Sequence, residues 1–86
     1  MHVISAKKLR EFWDVHADAE MPLRAWLKRV ENATWNRFAD VRLDYPHADQ
    51  YERCVIFNVG GNKYRLTTSI HYNRQKVYVR QVLTHA

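Results

Sequence analysis

The sequence predicts an α+β domain: a short N-terminal strand and a two-helix hairpin, packed on one face of an antiparallel sheet that ends in a three-stranded meander. Three observations predict it. Apolar residues recur with helical spacing up to Val30, alternation takes over after Arg53, and 86 residues suffice for only one modest core, because so short a chain buries about 60% of its unfolded surface. Residues 1–86 are therefore read as a single domain. Hydrophobic content of 47% with two Gly and two Pro leaves no linker-like stretch.

Val3 and Ile4 suit a short strand, and Ser5 is a candidate N-cap for the helix that follows. Leu9, Phe12, Trp13 and His16 then fall at i, i+3, i+4 and i+7, one face of a helix, with Lys7, Lys8, Arg10, Glu11 and Asp14 on the solvated side. Asp18 is the candidate cap of a second helix, in whose first turn Pro22 removes no needed donor. Leu23, Trp26, Leu27 and Val30 repeat the apolar spacing. Between Thr34 and Arg53 the pattern weakens: a short helix is expected around Arg37 to Leu43, and Trp35, Phe38 and Tyr51 are expected to anchor this connection to the core.

From Arg53 onward, Cys54–Val59, Asn62–Tyr72 and Lys76–Thr84 read as three antiparallel strands rich in Val, Ile, Tyr and Thr. Gly60 and Gly61 are expected at the centre of a tight hairpin, pairing Val59 with Asn62, Phe57 with Tyr64 and Val55 with Leu66. A phosphate-cradling loop would instead run into a helix, and strand period follows Gly61. A turn at Arg74-Gln75 would pair Val77 with Tyr72, Val79 with Ile70 and Leu83 with Leu66. Alternation then assigns Val55, Phe57, Tyr64, Leu66, Ile70, Tyr72, Val77, Val79 and Leu83 to the helix-covered face. Lys63, Arg65, Thr67, His71, Lys76, Tyr78, Arg80 and Thr84 fall on the open one.

Charge sharpens the interest of that open face. Fourteen Lys and Arg against nine Asp and Glu give +5, a balance suited to a polyanion such as nucleic acid. Residues 1–52 hold eight basic and nine acidic side chains, whereas residues 53–86 hold six basic and no acidic ones. The second half can present an unopposed positive surface. A solvated strand face would also be basic and exposed, so the composition leaves both readings open. The single Cys54 excludes an internal disulfide and reads as a small strand residue; no second Cys or HExxH pattern offers a zinc site, and no cofactor is expected. No apolar run approaches the roughly 20 residues that span a bilayer, and a signal-peptide core is absent, so a cytoplasmic location is expected.

In the expected register Arg65, Arg80, Thr84 and His85 converge, with Lys63 and Lys76 on the same face. Such a face can bind RNA through phosphate contacts and stacking on Tyr78. It can also cleave RNA without metal, which requires removing the 2′-OH proton, holding the phosphorane charge and protonating the departing 5′ oxygen. His85, with an ordinary pKa of about 6.5, can act as acid or base, and Arg65 can hold a phosphate by two hydrogen bonds.

The stretches Phe57-Asn58-x-Gly60-Gly61-Asn62-Lys63-Tyr64-Arg65-Leu66, Ile70-x-Tyr72, Lys76-Val77-Tyr78-Val79-Arg80 and Val82-Leu83-Thr84-His85-Ala86 closely resemble the HigB family of toxins, within the RelE/ParE-like superfamily. Trp35 and Tyr45-Pro46-x-Ala48-Asp49 also look like that family. The resemblance implies the toxin of a type II toxin-antitoxin system: an mRNA endoribonuclease acting in the ribosomal A site, without metal, by 2′-OH attack. It also implies a cognate HigA-like antitoxin of helix-turn-helix type. On the matching positions Arg65 would stabilise the phosphate and His85 would transfer protons. Lys63 and Arg80 would hold the RNA backbone, and Tyr78 would stack or hydrogen-bond. One departure stands out: HigB-like chains usually continue past Thr-His-Ala with an acidic, tyrosine-containing tail, whereas this sequence stops at Ala86. That departure supports the alternative expectation of a non-catalytic RelE/ParE-like toxin acting by binding a protein partner.

Overall fold

The computed structural model describes residues 1–84, in the order β1 (His2–Ile4), α1 (Lys7–Val15), α2 (Glu20–Glu31), α3 (Phe38–Asp44), β2 (Asp49–Tyr51), β3 (Cys54–Val59), β4 (Tyr64–His71) and β5 (Lys76–Thr84). Single 3-10 turns at Ala17–Ala19 and Tyr72–Arg74 separate α1 from α2 and β4 from β5. The five strands form one sheet in the order β1-β5-β4-β3-β2. The class is α+β as expected, but the sheet is mixed: β1 pairs parallel to β5 and the other pairs are antiparallel. Parallel pairing needs a long crossover, and the whole chain between β1 and β5 supplies it.

The helical spacing read from the sequence is the buried spacing. Leu9 and Trp13 of α1, Leu23, Trp26 and Val30 of α2 and Val41 of α3 join Val55, Phe57, Val59, Tyr64, Leu66, Val77 and Val79 of the sheet in one core. α1 packs on β5 and α2, and α2 on β1 and β3. Trp35 anchors the α2–α3 connection: its indole Nε1 donates to Asp44 Oδ2 at 2.9 Å and its ring stacks on Phe57 at 6.2 Å. Phe38 is partly buried, but Tyr51 is 67% exposed and anchors nothing in the core. It belongs to the edge strand β2, which is too short and too polar for alternation to reveal. Among the described residues no helix is long and apolar enough to cross a membrane.

Neither expected side-chain cap forms. Ser5 sits at φ +68° and only its backbone oxygen serves α1, accepting from Lys8 N at 3.0 Å. Asp18 lies in the 3-10 turn, one residue before the α2 cap position Ala19, and its carboxylate is engaged elsewhere. Pro22 falls in the first turn of α2, where no intrahelical donor is required.

Both hairpins differ from the expected register, with opposite consequences. In the first, Val59 pairs with Tyr64 and Phe57 with Leu66, so the pairing has slipped by two residues. An even slip keeps every side chain on its face. The loop is longer because Asn62 also takes a positive φ, +72°, after Gly60 and Gly61, and Lys63 N donates to Gly60 O at 3.2 Å. In the second, the 3-10 turn and the left-handed Gln75 place Ile70 opposite Val77, and a bulge then separates Thr68↔Val79 from Thr67↔Gln81. The extra residue is Arg80, and beyond it the alternation inverts. Leu83, expected in the core, pairs with Arg65 and is 49% exposed, whereas Thr84 pairs with Tyr64 on the helix side.

The two glycines make a graded test of the first turn. Both have positive φ, but a Cβ on Gly60 would meet the Tyr64 ring at 3.3 Å, while one on Gly61 would meet nothing within 4 Å. Gly61→Ala is expected to cost about 1–2 kcal/mol from the left-handed backbone alone, and Gly60→Ala more. Chemical denaturation of the two variants reads the difference, and equal losses would contradict the Tyr64 contact.

Candidate nucleic-acid interface

The strand faces turned away from the helices bring Arg65, Thr67, Ser69 and His71 of β4 beside Lys76 and Tyr78 of β5, with Arg80 at the bulge. Asn58 and Ile56 of β3 complete the surface, as the partners of Arg65 and Thr67. The cations are not as unopposed as the acid-free second half suggested. β2 and its turn bring Asp49, opposite Ile56, and Glu52 to the edge of the same sheet.

The bulge residue Arg80 is positioned rather than loose. Its Nε donates to Ser69 Oγ at 3.0 Å, and its guanidinium lies 5.8 Å from the Tyr78 ring centroid. A guanidinium held through Nε keeps its terminal amino groups for a phosphate. Tyr78 in turn meets the His71 ring edge-to-face at 4.9 Å and 64°. Ser69, His71 and Arg80 border a concavity of about 550 Å³ between the β2–β3 turn, the end of β4 and the bulge of β5, which Arg53 and Glu52 also line.

Arg65 lies toward the other end of the face. Its strand partners are Asn58 and Leu83, it is exposed, and among the described residues no hydrogen bond or ion pair engages its guanidinium. Ser69, which holds Arg80, stands four positions further along β4, roughly 13 Å at the usual rise. The cations expected to converge therefore fall in two groups along the face, Arg65 toward one end and Arg80 with Tyr78 from the bulge onward. Thr84 joins neither, because the bulge turns it to the Tyr64 side. His85 lies outside the described residues.

Lys63 departs furthest from expectation. It sits in the β3–β4 loop, and its ammonium and the Tyr64 hydroxyl both donate to the Asp18 carboxylate on the helix side. Those hydrogen bonds, from Lys63 first and Tyr64 second, hold the Asp18 carboxyl below its usual pKa, while Asp18 raises the pKa of both Lys63 and Tyr64. The stabilisation from Asp18 is complete above its unfolded value of about 3.9 and is lost as pH falls through the lower folded value. That from Lys63 and Tyr64 is complete below about pH 10 and is lost as pH rises through their raised folded values. Asp18→Asn is thus expected to lower Tm at neutral pH, with the gap to wild type closing as pH falls below about 4. A pH-independent gap would show that the cluster does not titrate as a unit.

Sequence reasoning missed Arg53 and undervalued His71, because both depend on how the β2–β3 turn meets the end of β4. It missed Asp18 as the partner of Lys63, 45 residues away. A second concavity, of about 240 Å³, lies between α2, Tyr45 and the edge of β3. Its one cation, Arg29, already faces Asp44 at 3.6 Å and the Tyr45 ring at 5.0 Å, so the open sheet face is the better site for a polyanion.

A family model described as HigB toxin, the RelE-like toxic component of a toxin-antitoxin system, matches residues 19–86. The chain is 26% identical over 88 residues to the mRNA interferase toxin HigB of Escherichia coli (strain K12), an alignment covering 99% of this chain and 85% of that protein. The mRNA interferase HigB proteins of Escherichia coli O157:H7 and Shigella flexneri align with the same identity and coverage. The family match begins in the 3-10 turn before α2 and runs through β2–β5, and the chain belongs to the HigB toxin family.

Proposed function

We propose that this protein is the toxin of a type II toxin-antitoxin pair and cleaves mRNA on the ribosome without a metal ion. The observation that carries the reading is family membership over the cationic sheet face, supported by relatives named as mRNA interferases. In the reaction a base removes the ribose 2′-OH proton, the oxygen attacks the adjacent phosphorus, and the 5′ oxygen leaves with a proton from an acid. The products are a 2′,3′-cyclic phosphate and a 5′-hydroxyl.

Arg65 is assigned to the non-bridging phosphate oxygens and His85 to proton transfer. Arg80 and Tyr78 are assigned to the RNA strand, the first through phosphate and the second through its ring. Lys63 takes its part in RNA binding only by exchanging the Asp18 carboxylate for a phosphate. Thr84, on the Tyr64 side, supports the strand that leads to His85. A helix-turn-helix antitoxin is the expected protein partner, and the cytoplasm, where ribosomes are, the expected location.

The test is direct: purified toxin added to ribosomes programmed with a defined mRNA is expected to give fragments ending in 2′,3′-cyclic or 3′-phosphate. Translation arrest with intact mRNA would replace this reading with that of a non-catalytic toxin acting through a binding partner.

A further inference from the structure

The concavity beside the β2–β3 turn has no part in the proton transfers assigned above, and of its lining only Arg80 has been given a role in holding RNA. Its lining is unlike an ordinary solvated strand face. Arg53 stands in the two-residue turn joining Tyr51 to Cys54 and lines the same opening as Arg80. Among the described residues neither guanidinium has an ion-pair partner, although Glu52 stands in the same turn. His71 is exposed, lines the opening, and is braced from behind by Tyr78 at 4.9 Å. Two cations and a braced aromatic ring around about 550 Å³ are what a single-stranded nucleotide needs, phosphate on the guanidinium groups and base on the ring.

We infer that this concavity is a nucleotide subsite on the RNA path, in which Arg53 and Arg80 bind a backbone phosphate and His71, supported by Tyr78, stacks the attached base. The inference rests on the reading of the protein as an mRNA-cleaving toxin, and it adds a residue pair, Arg53 and His71, that holds RNA flanking the scissile phosphate. The roughly 13 Å of strand between Arg65 and Ser69 separates the subsite from the reacting group. Glu52 gives the subsite an acceptor for the amino and imino groups of a base edge, the same chemistry by which carboxylates accept from cytosine N4.

The experiment measures binding of a fluorescein-labelled single-stranded RNA hexanucleotide by anisotropy, using the full chain and the variants Arg53→Ala, His71→Ala, His71→Phe and Lys28→Ala. Lys28 is exposed on α2 and serves as the charge control. Arg53→Ala and His71→Ala are each expected to weaken binding about tenfold, within the range for loss of one stacked base or one phosphate contact. Arg53→Ala should also reduce the salt slope by about one. His71→Phe, which keeps a stacking ring, should stay within about threefold of wild type, and Lys28→Ala should match wild type. Unchanged binding by both alanine variants, or no RNA binding by wild type, overturns the subsite. The same preparations on programmed ribosomes separate the two failures. RNA binding sensitive to Arg53 and His71 but without wild-type cleavage removes the endonuclease and leaves the subsite. Wild-type cleavage with both variants unaltered in binding and in half-saturating toxin concentration removes the subsite alone.

Discussion

Trp35→Ala is expected to destabilise the protein by about 3–5 kcal/mol, which in a domain of this size is a large share of the whole folding free energy. The ring is 2% exposed, stacks on Phe57, meets Tyr45 edge-to-face at 6.3 Å, and ties the α2–α3 connection to α3 through Asp44. Its backbone oxygen also accepts from Gln75 Nε2 at 2.7 Å, so one residue links that connection to the turn before β5. Truncation leaves a cavity against three elements that cannot all collapse into it. Tm should fall on the order of 20 °C, and a loss under 1 kcal/mol would contradict the packing described. Trp35 and Trp26, each 2% exposed, differ in a way that phenylalanine substitution resolves. Trp35 Nε1 has a carboxylate partner, whereas Trp26 Nε1 is buried without one. Trp35→Phe should therefore cost more than Trp26→Phe, by about 1 kcal/mol, since Asp44 is half-exposed and recovers water when the bond is lost.

The helical core was legible because amphipathic spacing depends only on local geometry: Leu9, Trp13, Leu23, Trp26 and Val30 are buried as their spacing requires. Sheet faces were legible up to the bulge. The first hairpin slipped by an even number of residues, so Phe57, Tyr64 and Leu66 still reached the core. One unpaired residue at Arg80 then exchanged the faces of Leu83 and Thr84, and nothing in the alternation Val77-Tyr78-Val79 announces an insertion. The candidate site was legible in composition but not in grouping. Basic residues were found, yet their company is set by contacts remote in sequence: Asp18 takes Lys63, Ser69 takes Arg80, and Arg53 arrives with an edge strand that has no hydrophobic pattern. The family was legible where turn glycines, Lys63, Arg65 and the Thr-His-Ala ending occur in fixed combination, a pattern that survives errors of register.

Arg65→Ala is expected to reduce the maximal rate of mRNA cleavage on programmed ribosomes about 10²–10³-fold, the loss typical of removing one donor from a developing oxyanion. Of the cations expected to act together, Arg65 alone is exposed on the open face with no protein partner among the described residues, since Arg80 is held by Ser69 and Lys63 by Asp18. A free guanidinium can close on a phosphorane that carries more charge than the ground-state phosphodiester, so its loss should appear in the maximal rate rather than in half-saturation. Arg65→Lys should recover only part of the rate, because the ammonium supplies charge without the two-pronged donor geometry. Lys63→Ala should cost less than about tenfold in rate, well below one oxyanion donor, and its main effect should be a modest loss of stability, because the half-exposed Asp18 carboxylate loses one of its two donors and keeps the Tyr64 hydroxyl. Stability and rate therefore separate within two neighbouring cations of one loop and strand. Cleavage by Arg65→Ala within about threefold of wild type would move the phosphate-stabilising role away from this end of the sheet, since one donor is worth far more than that. A Lys63→Ala defect as deep as that of Arg65→Ala would mean that Asp18 releases Lys63 when RNA binds.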